Sequence, residues 1–293
     1  MTVLDELPAT VATVAAAARP AVVTIGRDRR GAGVVFSDGQ ILTNAHHLRD
    51  RTTQVTFADG RVAQAEVVGA DPDGDLAVLA VDTAGAAPAR WSVVDPAPGQ
   101  VVFAAALGPH DLRVTVGTVS AVNADFRGPR GRTISGSIEH TAPLARGSSG
   151  GPLLDAQGAV VGINTHRLGD GFYLAIAAGD ELRSKVDELA AGRSPTRRRL
   201  GISVAPAAVA RRLRRAVGLP ERDGLLVHGV VEDSPAAAAG VRAGDLVVSA
   251  NGTSVATADA LWTVLDGIGP EAAATVELGV VRGADELTVT VTF

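Results

Sequence analysis

Residues 146–154 read Arg-Gly-Ser-Ser-Gly-Gly-Pro-Leu-Leu, with small residues crowded about Ser149 before an apolar run that reads as a strand. Glycine reaches backbone angles closed to other residues and lets a second chain come close to the main chain. A serine in such a turn can present its hydroxyl outward, and the amides of Gly147 and Ser149 can point at one spot and hold a developing oxyanion. On these nine residues alone, a plain Gly-Ser hairpin turn explains the pattern equally well. The upstream sequence separates the two readings.

Composition narrows the field first. At 293 residues the chain is past the size at which a single core keeps growing, so two domains are expected. Hydrophobic residues make up 46% and aromatics only 3%, so Val, Ala and Leu must fill the interior, and the Val-rich runs favour strands. The absence of cysteine excludes disulfides, thiolate zinc sites and cysteine nucleophiles. A net charge of −5 argues against nucleic acid as a bulk electrostatic partner. Lys185 is the only lysine and follows Arg183-Ser184, which excludes a phosphate-binding P-loop. The start, Met-Thr-Val-Leu-Asp-Glu-Leu-Pro, has no basic region leading into a long apolar stretch, and no run of about 18 apolar residues occurs to span a bilayer. The expected location is cytoplasmic if Met1 is the native start, and periplasmic or otherwise extracytoplasmic if a leader has been removed.

Residues 3–18 predict a short helix packed on a first barrel. Strand signals follow at Ala21–Ile25, Gly33–Phe36, Ile41–Thr43, Thr53–Phe57, Val62–Val68, Leu76–Val81 and Val101–Ala106, a first set of six or seven. A second set runs through Arg113–Val122, Thr133–Glu139, Pro152–Leu154, Ala159–Asn164 and Phe172–Ile176. Short strands at about 8–12-residue spacing predict a barrel or sandwich, and two sets predict two barrels. Asp180–Ala191 has helical spacing, with Asp180 as the N-cap and Gly192 as the stop. Arg-Ser-Pro-Thr-Arg-Arg-Arg at 193–199 reads as a linker between a domain over 1–192 and a small α/β domain over 200–293. In that second domain, helices are expected at 206–217, after Ser234-Pro235 and at Asp259–Asp266. Strands are expected at Leu225–Val231, Asp245–Ala250, Thr275–Val281 and Glu286–Phe293. Asn251-Gly252 is read as a hairpin turn rather than a glycosylation site.

Ile41-Leu42-Thr43-Asn44-Ala45-His46 is an apolar strand ending in a histidine, and Asp75 opens the buried run Asp-Leu-Ala-Val-Leu. A serine hydroxyl is a poor nucleophile near neutral pH and needs a base within hydrogen-bond reach. That base in turn needs a buried acceptor to fix its tautomer. His46, Asp75 and Ser149 supply these roles in the chymotrypsin-like order.

Together these residues resemble the HtrA/Deg family of serine proteases. The resemblance rests on Thr43-Asn44-Ala45-His46, Asp75–Leu79 and Gly147–Leu153, with Gly31-Ala32-Gly33 fitting the glycine-rich second strand. Val161-Gly162-Ile163-Asn164-Thr165 fits the strand that pairs with a bound substrate. The family implies a mainly β fold of two chymotrypsin-like six-stranded barrels. His46 and Asp75 come from the first and Ser149 from the second, with Gly147 and Ser149 as the oxyanion hole. Substrate would then meet Ile163, Asn164 and Thr165 and a pocket based at Pro143 and Leu144. No acid stands at that base to pair with a substrate cation, so a small or medium apolar residue before the cut is expected.

Departures from the family pattern carry information. Ser148 replaces the usual Asn but still spaces the two oxyanion amides, so activity is expected to survive. His47 stands where relatives carry an apolar residue; adjacent strand side chains face opposite ways, so His47 is read as incidental. A two-histidine metal site is rejected for want of His-Glu-x-x-His spacing, and Asp71–Asp75 is rejected as a calcium loop because Leu76 replaces the sixth-position glycine. No metal or cofactor is implied. Arg27–Arg30 is too short for a long regulatory loop; the family implies an oligomer, commonly a trimer pinned by N-terminal aromatics, but no aromatic precedes Phe36, so a trimer is not expected here.

Residues 200–293 resemble a PDZ domain of the HtrA type, through Arg199-Leu200-Gly201-Ile202 and Ser234–Gly240 with Val241–Asp245. The resemblance implies a carboxylate-binding loop at Leu200, Gly201 and Ile202, and a peptide strand added beside Ile202–Val204 against Leu261 and Leu265. The expectation is an ATP-independent serine endopeptidase acting on unfolded or misfolded proteins, with PDZ capture of C-termini. The alternative is a catalytically idle chaperone or scaffold that binds peptides through the cleft and the PDZ groove.

Overall fold

In the first third of the chain, the apolar runs Val22–Ile25, Ile41–Thr43 and Leu76–Leu79 are buried on both faces, so the sheet that holds them must close on itself or be covered. They close. The computed structural model describes residues 3–129, 131–195, 197–268 and 273–293. Strands β1 (Val22–Ile25), β2 (Gly31–Ser37), β3 (Gln40–Thr43), β4 (Thr52–Thr56), β5 (Val62–Asp71) and β6 (Leu76–Ala80) form a closed barrel in the order β1-β2-β3-β6-β5-β4. A second closed barrel joins β7 (Val101–Leu107), β8 (Leu112–Arg127), β9 (Thr133–His140), β10 (Pro152–Leu154), β11 (Val160–Gly169) and β12 (Phe172–Ala177), in the order β10-β11-β12-β9-β8-β7. Val101–Leu107 therefore opens the second barrel rather than completing the first. Its polar-poor sequence could not reveal which neighbour it would pair with.

Helix α1 (Val3–Ala18) packs on β7 and β8, so it belongs to the second barrel and not, as its position in the chain implied, to the first. Helix α2 (Asp180–Ala190) buries Leu182, Val186 and Leu189 against β5 and β6. Gly179 occupies its N-cap, and Asp180 instead brings a charge to the first turn, where the helix dipole favours it. One apolar cluster holds Val34, Leu42 and Val78 of the first barrel with Phe103, Leu154 and Ile163 of the second. This shared core fixes the ends of β3, β6, β10 and β11 relative to one another.

The chain divides into two compact units, Met1–Pro195 and Thr196–Phe293. Thr196, within the predicted linker, lies outside the described residues. The second unit is a sheet in the order β13-β14-β15-β17-β18, formed by β13 (Ile202–Ala205), β14 (Leu225–Val230), β15 (Leu246–Ala250), β17 (Thr275–Arg282) and β18 (Asp285–Thr292), with β16 (Thr253–Ser254) paired to β15. Helices α3 (Ala207–Ala216), α4 (Pro235–Ala238) and α5 (Ala258–Asp266) complete it. Ser234 caps α4 by accepting from the Ala237 amide, as the Ser-Pro opening predicts. Asn251 and Gly252 turn the chain between β15 and β16 with φ of 46° and 74°, the signature of a two-residue hairpin. The carboxylate of Asp245, with 1% of its side chain exposed, accepts from Arg282 Nε at 2.7 Å and Nη2 at 2.8 Å and ties the start of β15 to β17. Among the described residues no helix is long and apolar enough to cross a membrane.

Candidate active site

Register alone brings the first two residues together. Thr43 pairs with Ala77 in the antiparallel β3–β6 ladder, so the chain leaving β3 and the chain entering β6 emerge at the same end. His46 lies in the 3-10 turn Ala45–His47 that follows β3, and Asp75 directly precedes β6. The His46 Nδ1 lies 2.9 and 2.8 Å from the two oxygens of Asp75, and the His46 amide donates to Asp75 Oδ1 at 3.0 Å. Only 1% of the Asp75 side chain is exposed, against 33% for His46. A buried carboxylate that accepts Nδ1–H leaves Nε2 as the basic nitrogen, aimed outward. Asp75 holds φ at +56°, a left-handed conformation that Asp tolerates better than most residues and that is kept here by its surrounding hydrogen bonds.

Pairing of Pro152 with Ile163, continued by the Gly150 amide on the Asn164 carbonyl, brings the serine turn alongside the end of this line at Thr165. Ser149 Oγ lies 3.5 Å from His46 Nε2, 2.7 Å from Asn44 Oδ1 and 2.8 Å from the Thr165 carbonyl. Asn44 Nδ2 donates to the Asp75 carbonyl at 2.9 Å, which fixes the Asn44 oxygen toward the serine. The one hydroxyl proton thus rests on Asn44 or Thr165, and a small rotation about the serine Cα–Cβ bond delivers it to His46. Contacts of this kind are commonly long before substrate binds. Thr165 also donates its hydroxyl to Asp75 Oδ2 at 2.8 Å, so the acid is held from both barrels.

The turn around the serine leaves two donors open. Among the described residues no acceptor takes the amide of Gly147 or of Ser149, whereas the Ser148 amide is spent on the Ala145 carbonyl at 3.1 Å. Gly147 adopts φ +84°, and a Cβ there would stand 2.5 Å from the Arg29 carbonyl, so both angle and space demand glycine. The Ser149 carbonyl is anchored by the Ala32 amide at 2.8 Å and by His47 Nε2 at 2.9 Å.

That second anchor corrects the reading of His47 as incidental. Residues 45–47 form a 3-10 turn rather than a strand, so the alternation rule does not apply; the rings of His46 and His47 lie 4.1 Å apart and both address Ser149. Burial first, and then the neighbouring His46 ring, push the His47 imidazole down to about 4. It is neutral at neutral pH, and because a carbonyl can only accept, its proton sits on Nε2. Its ring fills the space over Gly31, where a Cβ would fall 2.2 Å from two ring atoms. Gly31→Ala is expected to cost about 2–4 kcal/mol. In the Gly31→Ala/His47→Ala double variant the two costs should couple by at least ~1.5 kcal/mol, because the clash is gone. Urea unfolding of the four proteins measures this, and strictly additive losses would refute the contact.

The other expected substrate-binding residues are placed unequally. Ile163 is wholly buried, and Asn164 is buried with its amide and carbonyl spent on Gly151 and Gly150, so both lie beneath the site rather than on its surface. Of the three, only Thr165 reaches Ser149. Pro143 is exposed and its carbonyl accepts from Thr115 Oγ1 at 2.7 Å. Leu144 packs in the second barrel's core, and its carbonyl accepts from Arg167 Nη2 at 2.8 Å. Sequence reading missed that arginine; it sits on β11 just past Thr165 and adds a cation beside the segment already judged unsuited to basic side chains.

In the second unit, among the described residues, β13 pairs with β14 alone and keeps one edge open. The Leu200 and Gly201 amides meet no acceptor among the described residues, while the Leu200 and Gly201 carbonyls are taken by Ala236 and Val231. Leu261 and Leu265 are 4% and 3% exposed and belong to the unit's core, so they stiffen α5 more than they offer a surface.

Two closed six-stranded barrels that bring a His–Asp pair and a serine turn together, followed by a small sheet unit, define the class of chymotrypsin-like folds with an appended PDZ module. The match to known families agrees: residues 31–163 fit the trypsin-like peptidase domain and residues 199–293 the PDZ domain. The chain is 35% identical over 272 residues to a probable periplasmic serine endoprotease, DegP-like, of Halomonas elongata, covering 89% of this chain and 56% of that protein. It is 32% identical over 287 residues to the putative serine protease HhoA of Synechocystis, covering 90% of this chain and 71% of that one. The solved structure of the HtrA-type protease AlgW with a tripeptide superposes with a TM-score of 0.62 at 26% identity, over 96% of this chain and 95% of that chain. The chain belongs to the HtrA/DegP-like serine protease family. It spans about half the length of the DegP-like relatives it matches.

Proposed function

We propose that the chain is an ATP-independent serine endopeptidase that cuts exposed segments of unfolded or misfolded proteins, with the second unit capturing C-termini of substrates or activators. The observation that carries this reading is the convergence of Ser149 Oγ, His46 Nε2 and buried Asp75 beside two unspent amides. In this mechanism Ser149 attacks the scissile carbonyl as His46 Nε2 takes its proton. The carbonyl oxygen, now an anion, is held by the Gly147 and Ser149 amides. His46 then returns the proton to the leaving amine, which departs and leaves an acyl-serine ester. A water, deprotonated by the same nitrogen, hydrolyses the ester and restores the hydroxyl. Asp75 holds the ring throughout, and the Thr165 hydroxyl and the His46 amide hold Asp75.

For the second unit, a peptide added at the open edge of β13 would bring its terminal carboxylate to the Leu200 and Gly201 amides. The partly buried Ile202 and the surface of α5 would border its last side chain, with Leu261 and Leu265 as the floor. The substrate class is tested by incubating the protein with a reduced, alkylated globular protein and with the same protein native, with and without ATP. The reading requires degradation of the unfolded form alone and no effect of ATP. Equal cleavage of both forms, or dependence on ATP, overturns it, and binding of the unfolded form without cleavage favours the idle chaperone.

A further inference from the structure

Beside the serine turn lies a pocket of about 550 Å³ whose walls include Gly147 and Ser148 on one side and the β1–β2 turn on the other. Its lining carries Arg29, Arg30, Arg49, Arg113 and Arg146 against a single acid, Asp28. The chain as a whole has a net charge of −5, so the pocket reverses the sign of its surroundings. Among the described residues none of these five arginines makes an ion pair; Arg29 reaches only the Pro109 carbonyl, at 3.4 Å. Asp111, the acid on the neighbouring loop, is engaged by Arg19 instead. Five guanidinium groups gathered around one carboxylate leave a net positive charge, and an anion entering among them relieves their repulsion while accepting paired hydrogen bonds.

Position says which anion. Ser149 is flanked on one side by Thr165 and β11, the side assigned to the acyl half of a substrate, and on the other by the Arg29 carbonyl packed on Gly147. The segment leaving with the amine must run toward that second side, over the arginine pocket. Resting on the endopeptidase reading above, we infer that this pocket selects a carboxylate within the first few residues after the cut. The carboxylate is either an Asp or Glu side chain or the free C-terminus of the leaving segment. Lysine and arginine there are disfavoured by like charge. The choice made before the cut and the choice made after it are thus separate: the first rests on the Pro143–Leu144 segment and Arg167, the second on charge alone.

The test uses internally quenched peptides that share one sequence before the cut. One set is amidated and carries Glu, Gln or Lys scanned over the second to fourth positions after the cut; a further peptide carries only Gln but ends there in a free carboxylate. The best Glu peptide or the free-acid peptide should show kcat/KM about ten-fold above the amidated Gln peptide at low salt, with Lys below it. Which of the two leads identifies the source of the carboxylate. The advantage should shrink to about three-fold or less at 0.5 M NaCl, where charges are screened beyond about 4 Å. It should also fall in Arg113→Gln and Arg146→Gln, where the Glu/Gln ratio is read within each variant so that any change in general activity cancels. Ratios within two-fold across all peptides, or ratios unmoved by both variants, overturn the proposal. Anisotropy of the same peptides, labelled, on the Ser149→Ala protein separates the two claims. If nothing is cleaved the proteolytic reading fails, yet tighter binding of the carboxylate peptides still supports the pocket and equal binding still refutes it.

Discussion

Ser149→Ala should lower kcat/KM on any cleaved peptide by at least ~10⁴-fold and leave the fold in place. The loss is large because the hydroxyl lies 3.5 Å from His46 Nε2 and adjoins the open Gly147 and Ser149 amides. Without it His46 has no nucleophile to activate, and what remains is the modest effect of binding and polarising the scissile carbonyl. The structural cost is small. The hydroxyl makes hydrogen bonds to Asn44 Oδ1 and the Thr165 carbonyl, and losing its donor should cost about 1 kcal/mol. That corresponds to roughly 2–4 °C in Tm for a unit of this size. The Ser149 carbonyl keeps its anchors at Ala32 and His47, so the turn holds its shape. Peptide cleavage and thermal unfolding on the same preparation check both halves, and residual cleavage within ten-fold of the parent would remove Ser149 from the chemistry.

Asp75→Asn should lower kcat about 10³–10⁴-fold with little change in KM. Asp75 is purely an acceptor here, taking the His46 ring, the His46 amide and the Thr165 hydroxyl on its two oxygens. An amide of the same shape has only one oxygen. If that oxygen keeps the His46 amide, the NH₂ faces the ring and makes Nδ1 an acceptor. The proton then moves to Nε2, the nitrogen that must be empty to receive the serine's proton. The imidazolium formed during attack also loses its counter-charge. Thr165 can turn and accept from the new NH₂, so folding is expected to survive. Thr165→Val should act in the same direction by removing one donor from Asp75, with a far smaller effect. A kcat for Asp75→Asn within ten-fold of the parent would show that the carboxylate does not set the tautomer.

The residues of this site were legible as a set: the run about Ser149 fits a plain turn equally well by itself, and His46 and Asp75 upstream, in the order a serine nucleophile needs, decide between the readings. Glycines crowded about Ser149, a histidine ending an apolar strand and an acid opening one can be read without knowing what pairs with what. The barrels were legible as two groups of strands, but the membership of Val101–Leu107 and the seat of α1 depend on pairings between residues distant in sequence. Local pattern does not encode those. His47 was misjudged for a different reason: two residues of 3-10 turn rotate side chains that a strand would have set on opposite faces. The backbone commitments of Asn164 and the burial of Ile163 follow from the β10–β11 register, again a long-range property. The arginine pocket was hidden because its members come from the β1–β2 turn, the segment after β3, the start of β8 and the serine turn, and no stretch of sequence shows them side by side.

The central claim, that Ser149 is an activated nucleophile beside a formed oxyanion hole, is tested most directly by a fluorophosphonate probe read by intact mass. The probe reacts only with a serine whose proton is taken by a base and whose adduct oxygen is held by donors. The geometry predicts one adduct per chain without any added peptide, located on Ser149 and absent from Ser149→Ala. No adduct, with or without apolar C-terminal peptides, would contradict it and leave the chain a peptide-binding protein with the residues of a protease.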